Sequence, residues 1–168
     1  MIRTPLKRKK GQVQQIAYFL VFIFIIVFTL LIAKLIMVKF NDALVEDNIH
    51  TPESQQALTD MDVAFPTFDN AILLVIVILT IGLIITSFLI PAHPIFIAVN
   101  VFGMFFLCFL GMILSNLYKD IIDNSADFAA VYTTFPKLTF VVNKLPWIAV
   151  ILVFIATIVQ YTRYKSEN

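Results

Sequence analysis

Few side chains in this sequence have the chemistry of a catalytic or metal-binding group, and their spacing keeps them apart. The two histidines, His50 and His93, lie on either side of a long apolar run at 71–90, so they are not expected to share a metal ion. Cys108 is the single cysteine and falls within another apolar run, without a neighbouring base to activate its thiol. The sequence contains no glycine-rich phosphate loop, zinc pattern or Ser/His/Asp set. These features predict a protein that is not an enzyme and holds no cofactor.

Acidic residues are the second candidate for metal chemistry, and they crowd the segment 39–70. They are Asp42, Glu46, Asp47, Glu53, Asp60, Asp62 and Asp69. Carboxylate oxygens bind Ca²⁺ and Mg²⁺, but the spacing is not that of an EF-hand, and the segment has no glycine for the sharp turn of such a loop. We therefore predict no metal site and interpret the acids as a docking surface for a partner protein.

Four long apolar runs separate these polar segments and must position them. The chain of 168 residues is 60% hydrophobic, with a mean hydropathy of +0.92. About 20 helical residues cross a hydrocarbon core of about 30 Å. The sequence therefore predicts an all-α, polytopic integral membrane protein with four transmembrane helices at 16–38, 71–90, 95–117 and 146–162.

Basic residues cluster at both ends of the chain and predict its orientation. Five precede the first run, namely Arg3, Lys7, Arg8, Lys9 and Lys10, and Arg163 and Lys165 follow the last. Because basic residues remain on the inner side during insertion, the tails at 1–15 and 163–168 are both predicted inside. The acidic segment 39–70 is then an outer loop.

The two remaining connections differ in length and composition. Residues 91–94 read Pro-Ala-His-Pro and predict an inner turn that makes a tight hairpin of spans two and three. The segment 118–145 is predicted to be outer and interfacial, and Pro136 and Pro146 exclude one continuous helix through it. A fully solvated loop is the alternative.

Small and polar residues predict where the helices pack against one another. One face of span three carries Asn100, Gly103, Gly111 and Ser115, whereas phenylalanines occupy the opposite face. Small residues allow backbones to approach closely, and polar residues form interhelical hydrogen bonds. Gly82 and Thr86 form a similar pair in span two and are expected to face span three. A polar conduit along span three is the alternative interpretation.

Lys34 is the only formal charge within a predicted span, four residues before its outer end. We expect its long side chain to reach the headgroups, although an acidic partner or a lipid phosphate is an alternative. The basic residues of the N-terminal tail are assigned to contact with anionic lipid or a partner. Neutralisation of nucleic acid is a further option, and a role in topology alone is the simplest one.

Four short strings give the sequence a resemblance to a known group of proteins. They are Phe68-Asp69-Asn70, Ile90-Pro91-Ala92-His93-Pro94-Ile95-Phe96, Ser115-Asn116-Leu117-Tyr118 and Asn143-Lys144-Leu145-Pro146. Over about residues 66–162 the chain resembles small uncharacterised polytopic membrane proteins of prokaryotic viruses, including viruses whose virions contain a bilayer. The resemblance implies residence in the host inner membrane, the internal membrane of a virion, or both. It supplies no functional residues.

Three functions are compatible with these features. The first is a structural or assembly subunit that packs with itself and with other membrane or capsid proteins. The second is a holin-like or channel-forming protein, and the third is an accessory subunit of a cellular membrane complex. The bilayer is the expected environment in each case, and no small-molecule substrate is evident.

Overall fold

The computed structural model describes residues 12–47, 51–89 and 94–167, and these residues form helices without any β-strand. The helices are α1 (Gln12–Glu46), α2 (Pro52–Leu89), α3 (Pro94–Asp123), α4 (Ala126–Val131), α5 (Pro136–Asn143) and α6 (Leu145–Glu167), with a 3-10 turn at Tyr132–Thr134. Four of them, α1, α2, α3 and α6, are long and apolar enough to cross a membrane. The predicted all-α fold with four spans is confirmed.

Within the segment 39–70, residues 39–46 and 52–70 are helical, which corrects the prediction of a loop. α1 continues to Glu46 and α2 begins at Pro52, so the two helices are about 52 Å and 57 Å long, well beyond the thickness of the hydrocarbon core. The many charged residues of this segment make the helical spacing of its apolar residues hard to recognise in the sequence. Leu58 and Phe65 lie seven residues apart on one face of α2, and both are buried.

The segment after α3 is broken into short helices, as its prolines predict. Ser125 caps α4 by accepting a hydrogen bond from the Phe128 N–H, and Pro136 is the first residue of α5. The segment is folded against the other helices, which contradicts the alternative of a fully solvated loop. Its buried side chains are Val131, Phe135, Leu138, Val141 and Val142.

Spans two and three do not pack as expected. α3 packs mainly against α6 and then against α1, whereas α2 packs against α6, α1 and α5 and has no extensive contact with α3 in the described residues. Of the predicted turn at 91–94, residues 91–93 lie outside the described residues, and Pro94 is the first residue of α3. Adjacency in the sequence therefore does not decide which helices pack together here.

The helices form two layers that meet near Asn70. We call the first the bundle, made of residues 12–26 of α1, 71–89 of α2, 94–114 of α3, and α6. We call the second the cap, made of residues 27–46 of α1, 52–70 of α2, 115–123 of α3, α4, the 3-10 turn and α5, because this end of α3 packs against α4 and α5. Aromatic contacts join the elements of the cap. Phe28 of α1 stacks on Phe128 of α4 with 6.0 Å between ring centroids, and Phe65 of α2 lies edge-on to Phe135 at 5.9 Å. The last third of the first apolar run therefore packs within the cap, where it faces the N-terminal half of α2.

Candidate functional site

The polar groups of the cap form the most site-like region of the described chain, and Lys34 lies at its centre. Only 7% of Lys34 is exposed, and its ammonium forms an ion pair with Asp62. The same ammonium lies 5.1 Å from the centroid of the Phe65 ring, a cation–π distance. The expectation that Lys34 reaches the headgroups is therefore wrong, and the alternative of an acidic partner is correct. The reason is that α2 begins at Pro52, so that its N-terminal half places Asp62 beside Lys34 on α1.

Asp69 holds the start of α5 from the facing helix α2. Its Oδ1 accepts a hydrogen bond from the Leu138 N–H at 2.9 Å, and its Oδ2 accepts one from the Lys137 N–H at 3.2 Å. The first N–H groups of a helix lack partners within the helix and favour negative charge. Phe135, the residue at the N-cap position, provides no side-chain cap. Asp69, only 3% exposed, therefore caps α5 from another helix.

A neighbouring contact strengthens the same junction. The Lys137 ammonium donates a hydrogen bond to Asn70 Oδ1. Asp69 and Asn70 are consecutive on α2, so two adjacent residues bind the backbone and the side chain of the first turn of α5. This gives the Phe68-Asp69-Asn70 string a structural role that its sequence alone did not reveal.

Two cavities flank the Lys34–Asp62 pair. One, of about 590 Å³, is lined by Lys34 and Asp62 together with Met37, Val38, Asn41, Gln55, Leu58 and Thr59. The other, of about 560 Å³, lies between α2 and the start of α5 and is lined by Lys34, Asp62, Pro66, Asp69, Asn70, Thr133, Thr134, Pro136 and Lys137. The ion pair is thus the wall that both cavities share.

Small and polar residues join α3 to its neighbours in the bundle. A Cβ atom placed on Gly111 would lie 2.9 Å from the backbone of Pro146, so α3 and α6 approach to backbone contact there. A Cβ on Gly103 would overlap the side chain of Val13 on α1. Both glycines therefore lie where two helices meet, on the face that the sequence assigns to packing.

Hydrogen bonds accompany these close approaches. Asn100 donates to Gln160 Oε1 on α6 at 2.8 Å, and both side chains are buried. Ser115 donates to the Asn143 carbonyl at 3.4 Å, which connects α3 to the end of α5. An amide left without a partner in an apolar region costs free energy, so the Asn100–Gln160 bond removes a penalty as well as orienting α3 and α6.

Gly82 and Thr86 do not form the contact predicted for them. No atom lies within 4 Å of a Cβ placed on Gly82, and the exposed Thr86 hydroxyl donates to the Leu83 carbonyl of its own helix. The small-residue pattern is similar to that in α3, but no helix of the described residues lies opposite it. The other assigned contact residues, Arg3, Lys7, Arg8, Lys9 and Lys10, lie outside the described residues.

Sequence reasoning missed three residues that the structure brings into contacts. The sequence marks Asp62 and Asp69 only as acids of a predicted outer loop, and their partners lie on α1 and α5. Gln160 had a usable signal, because an amide within an apolar run needs a partner as much as Asn100 does. In the part of the chain that the structure describes, no three histidine, cysteine or acidic side chains cluster as a metal site would require.

The fold and these contacts define the chain as an all-α protein with four membrane-spanning helices and a helical cap. No protein-family model matches it, and neither a curated protein nor a solved structure shows significant similarity to it.

Proposed function

We propose that the protein is a non-enzymatic structural or assembly subunit of a membrane, which associates with copies of itself through α3. One observation carries this proposal: α3 uses its small and polar face within the chain and leaves a continuous aromatic face uncovered. That face consists of Phe102, Phe105, Phe106 and Phe109, each more than three-fifths exposed.

The contacts that the polar side chains make with one another support a structural role. Lys34 and Asp62 join α1 to α2, Asp69 joins α2 to α5, and Asn100 joins α3 to α6. Each pair connects segments of the same chain, which is what a protein that maintains one shape requires. A pore would instead need a polar face directed at water.

The membrane and the partners are assigned from the sequence. Both termini lie inside, the cap lies outside, and the N-terminal basic tail contacts anionic lipid, with nucleic acid as a further ligand. The resemblance to proteins of prokaryotic viruses favours the internal membrane of a virion, where the acidic cap would meet a capsid protein. In a cellular complex the same surfaces would serve an accessory subunit.

Cysteine cross-linking tests the self-association directly. The full-length chain with Cys108→Ser contains no other cysteine, so Phe105→Cys can be added as a single probe on the aromatic face of α3. Phe154→Cys on α6 is the matched control, since Phe105 and Phe154 are both exposed aromatic residues, at 68% and 61%. In liposomes, a short bismaleimide is expected to give dimers at position 105 and few at position 154.

Two results would contradict the proposal. Equal cross-linking at both positions would indicate random collision, and a monomeric mass in nanodiscs would exclude association. Rapid release of a dye from the same liposomes would favour the channel, and it is measured in parallel with protein-free liposomes as the reference.

A further inference from the structure

The cavity between α2 and α5 has the size of a ligand site and is lined by residues that are held in place. Its volume of about 560 Å³ falls within the range of small-molecule sites, about 300–1,000 Å³. Two of its charged lining residues, Lys34 and Asp69, are buried and fixed by their own partners. The wall is therefore held in place whether or not a ligand is bound.

The accessible charges of the cavity lie at two ends. At one end the Lys137 ammonium donates to a neutral amide, Asn70, and no carboxylate pairs with it among the described residues. Thr133 and Thr134, close to Lys137 in the sequence, also line the cavity. At the other end is Asp62, whose side chain is 60% exposed despite its pairing with Lys34. The cavity thus offers donors for an anion at one end and a carboxylate for a cation at the other.

The two ends differ in depth relative to the apolar bundle. Asn70 directly precedes the apolar run of α2, so the Lys137 end lies at the edge of the bundle. Asp62 lies eight residues earlier on the same helix, about 12 Å further into the cap. In an amine-bearing phospholipid the phosphate is attached next to the acyl chains and the ammonium lies outermost, which is the same order.

We propose that this cavity binds the headgroup of an amine-bearing phospholipid. The phosphate accepts hydrogen bonds from the Lys137 ammonium and the threonine hydroxyls, and the ammonium contacts Asp62. The acyl chains lie along the exposed apolar surface of α2, which includes Leu74 and Ile78. This site goes beyond the proposed structural function and rests on it only for the placement of the cap outside the bilayer.

Lipid binding to the full-length, delipidated protein in detergent tests the site, with native mass spectrometry and thermal unfolding as readouts. Phosphatidylethanolamine is expected to bind as one tightly held molecule and to raise the unfolding temperature more than phosphatidylglycerol does. Lys137→Gln is expected to weaken binding about ten-fold, the loss of one charge-assisted hydrogen bond. Asp62→Asn is expected to remove the preference for the amine-bearing lipid.

Lys144→Gln is the matched control, because Lys144 is an exposed cation at the other end of α5 and does not line the cavity. An equal loss in Lys144→Gln and Lys137→Gln would overturn the proposal, since it would indicate nonspecific attraction. Stabilisation by soluble phosphoethanolamine equal to that by the lipid would overturn the assignment to a membrane lipid. Thr133→Val provides a second variant at an exposed position if Lys137→Gln does not fold, and it is expected to weaken binding about three-fold.

Discussion

The bundle and the cap hold their helices together by different means. In the bundle, α3 and α6 form the most extensive interface and approach to backbone contact at Gly111 and Pro146. In the cap, charged and polar groups provide the cross-connections, with Lys34 bound to Asp62 and Asp69 bound to α5. In the most apolar stretch of α2 only 11% of the residues are buried within the chain, whereas in that of α6 the share is 33%.

In the orientation proposed above, this contrast follows from the solvent, with lipid around the bundle and water around most of the cap. Lipid is as apolar as leucine, so burying apolar side chains gives no hydrophobic driving force between helices in a bilayer, and close packing has to replace it. Residues of the cap can still gain from the removal of apolar surface from water and from charge pairs near the surface. α2 belongs to both layers, because it packs against α6 in the bundle and against α5 in the cap.

Adding one methyl group to the closest backbone approach in the bundle should have the largest effect. Gly111→Ala is expected to lower the free energy of unfolding by about 2–3 kcal/mol, because the new Cβ would lie 2.9 Å from the backbone of Pro146, which cannot rotate away. Reversible unfolding in mixed detergent micelles measures it. Gly82→Ala is the control and should change stability by less than about 0.5 kcal/mol, since open space surrounds that position. Equal effects would show that close packing does not distinguish α3 from α2.

Removing the carboxylate that caps α5 should weaken the cap by about 2 kcal/mol. Asp69→Ala leaves the N–H groups of Lys137 and Leu138 without their acceptors. Circular dichroism melts measure the stability, and limited proteolysis should show earlier cleavage within 119–145. Asp60→Ala removes an exposed acid from the same helix and is expected to leave both readouts unchanged.

The two partners of the cap ion pair should respond unequally to substitution. Asp62→Asn is expected to cost about 1 kcal/mol, because it leaves the buried Lys34 ammonium without its counter-charge. Lys34→Met should cost less, since water can solvate the exposed Asp62, and a methionine sulfur packs favourably on the Phe65 ring. Chemical unfolding of the two variants compares them, and a larger loss for Lys34→Met would refute this account.

The hydrogen bond between α3 and α6 should give the smallest effect. A double-mutant cycle with Asn100→Leu and Gln160→Leu is expected to yield a coupling energy of about 0.6 kcal/mol, the average for such bonds within membranes. The four unfolding free energies determine it. A coupling energy above about 2 kcal/mol would show that polar contacts contribute more to the stability of the bundle than close backbone approach does.

The fold class and the packing face of α3 could be predicted because both are local properties of the sequence. Long apolar runs predict spans, and small residues at helical spacing place Gly103 and Gly111 on one side of α3. The identical pattern at Gly82 led to a wrong prediction, because whether another helix lies opposite is a tertiary property. The pattern indicates which residues permit contact and not which ones make it.

The cap could not be predicted because its contacts connect distant parts of the chain in a specific register. Lys34 and Asp62 are 28 residues apart, and Asp69 and Leu138 are 69 apart. An acid-rich segment is compatible with a solvated loop or with a helix that packs on one face, and only the partner decides between them. The carboxylate beside the first turn of α5 was therefore indistinguishable from the other acids around it.

The extent of α1 beyond the bundle has a consequence for the surrounding bilayer. Ile36 and Phe40 belong to the cap, yet they are 63% and 58% exposed on the outside of α1, above the level where the apolar run of α2 ends. The hydrophobic belt around the molecule is therefore taller on one side than on the other. Because each ångström of mismatch costs a fraction of a kcal/mol, either the leaflet thickens beside α1 or the whole protein tilts toward that side.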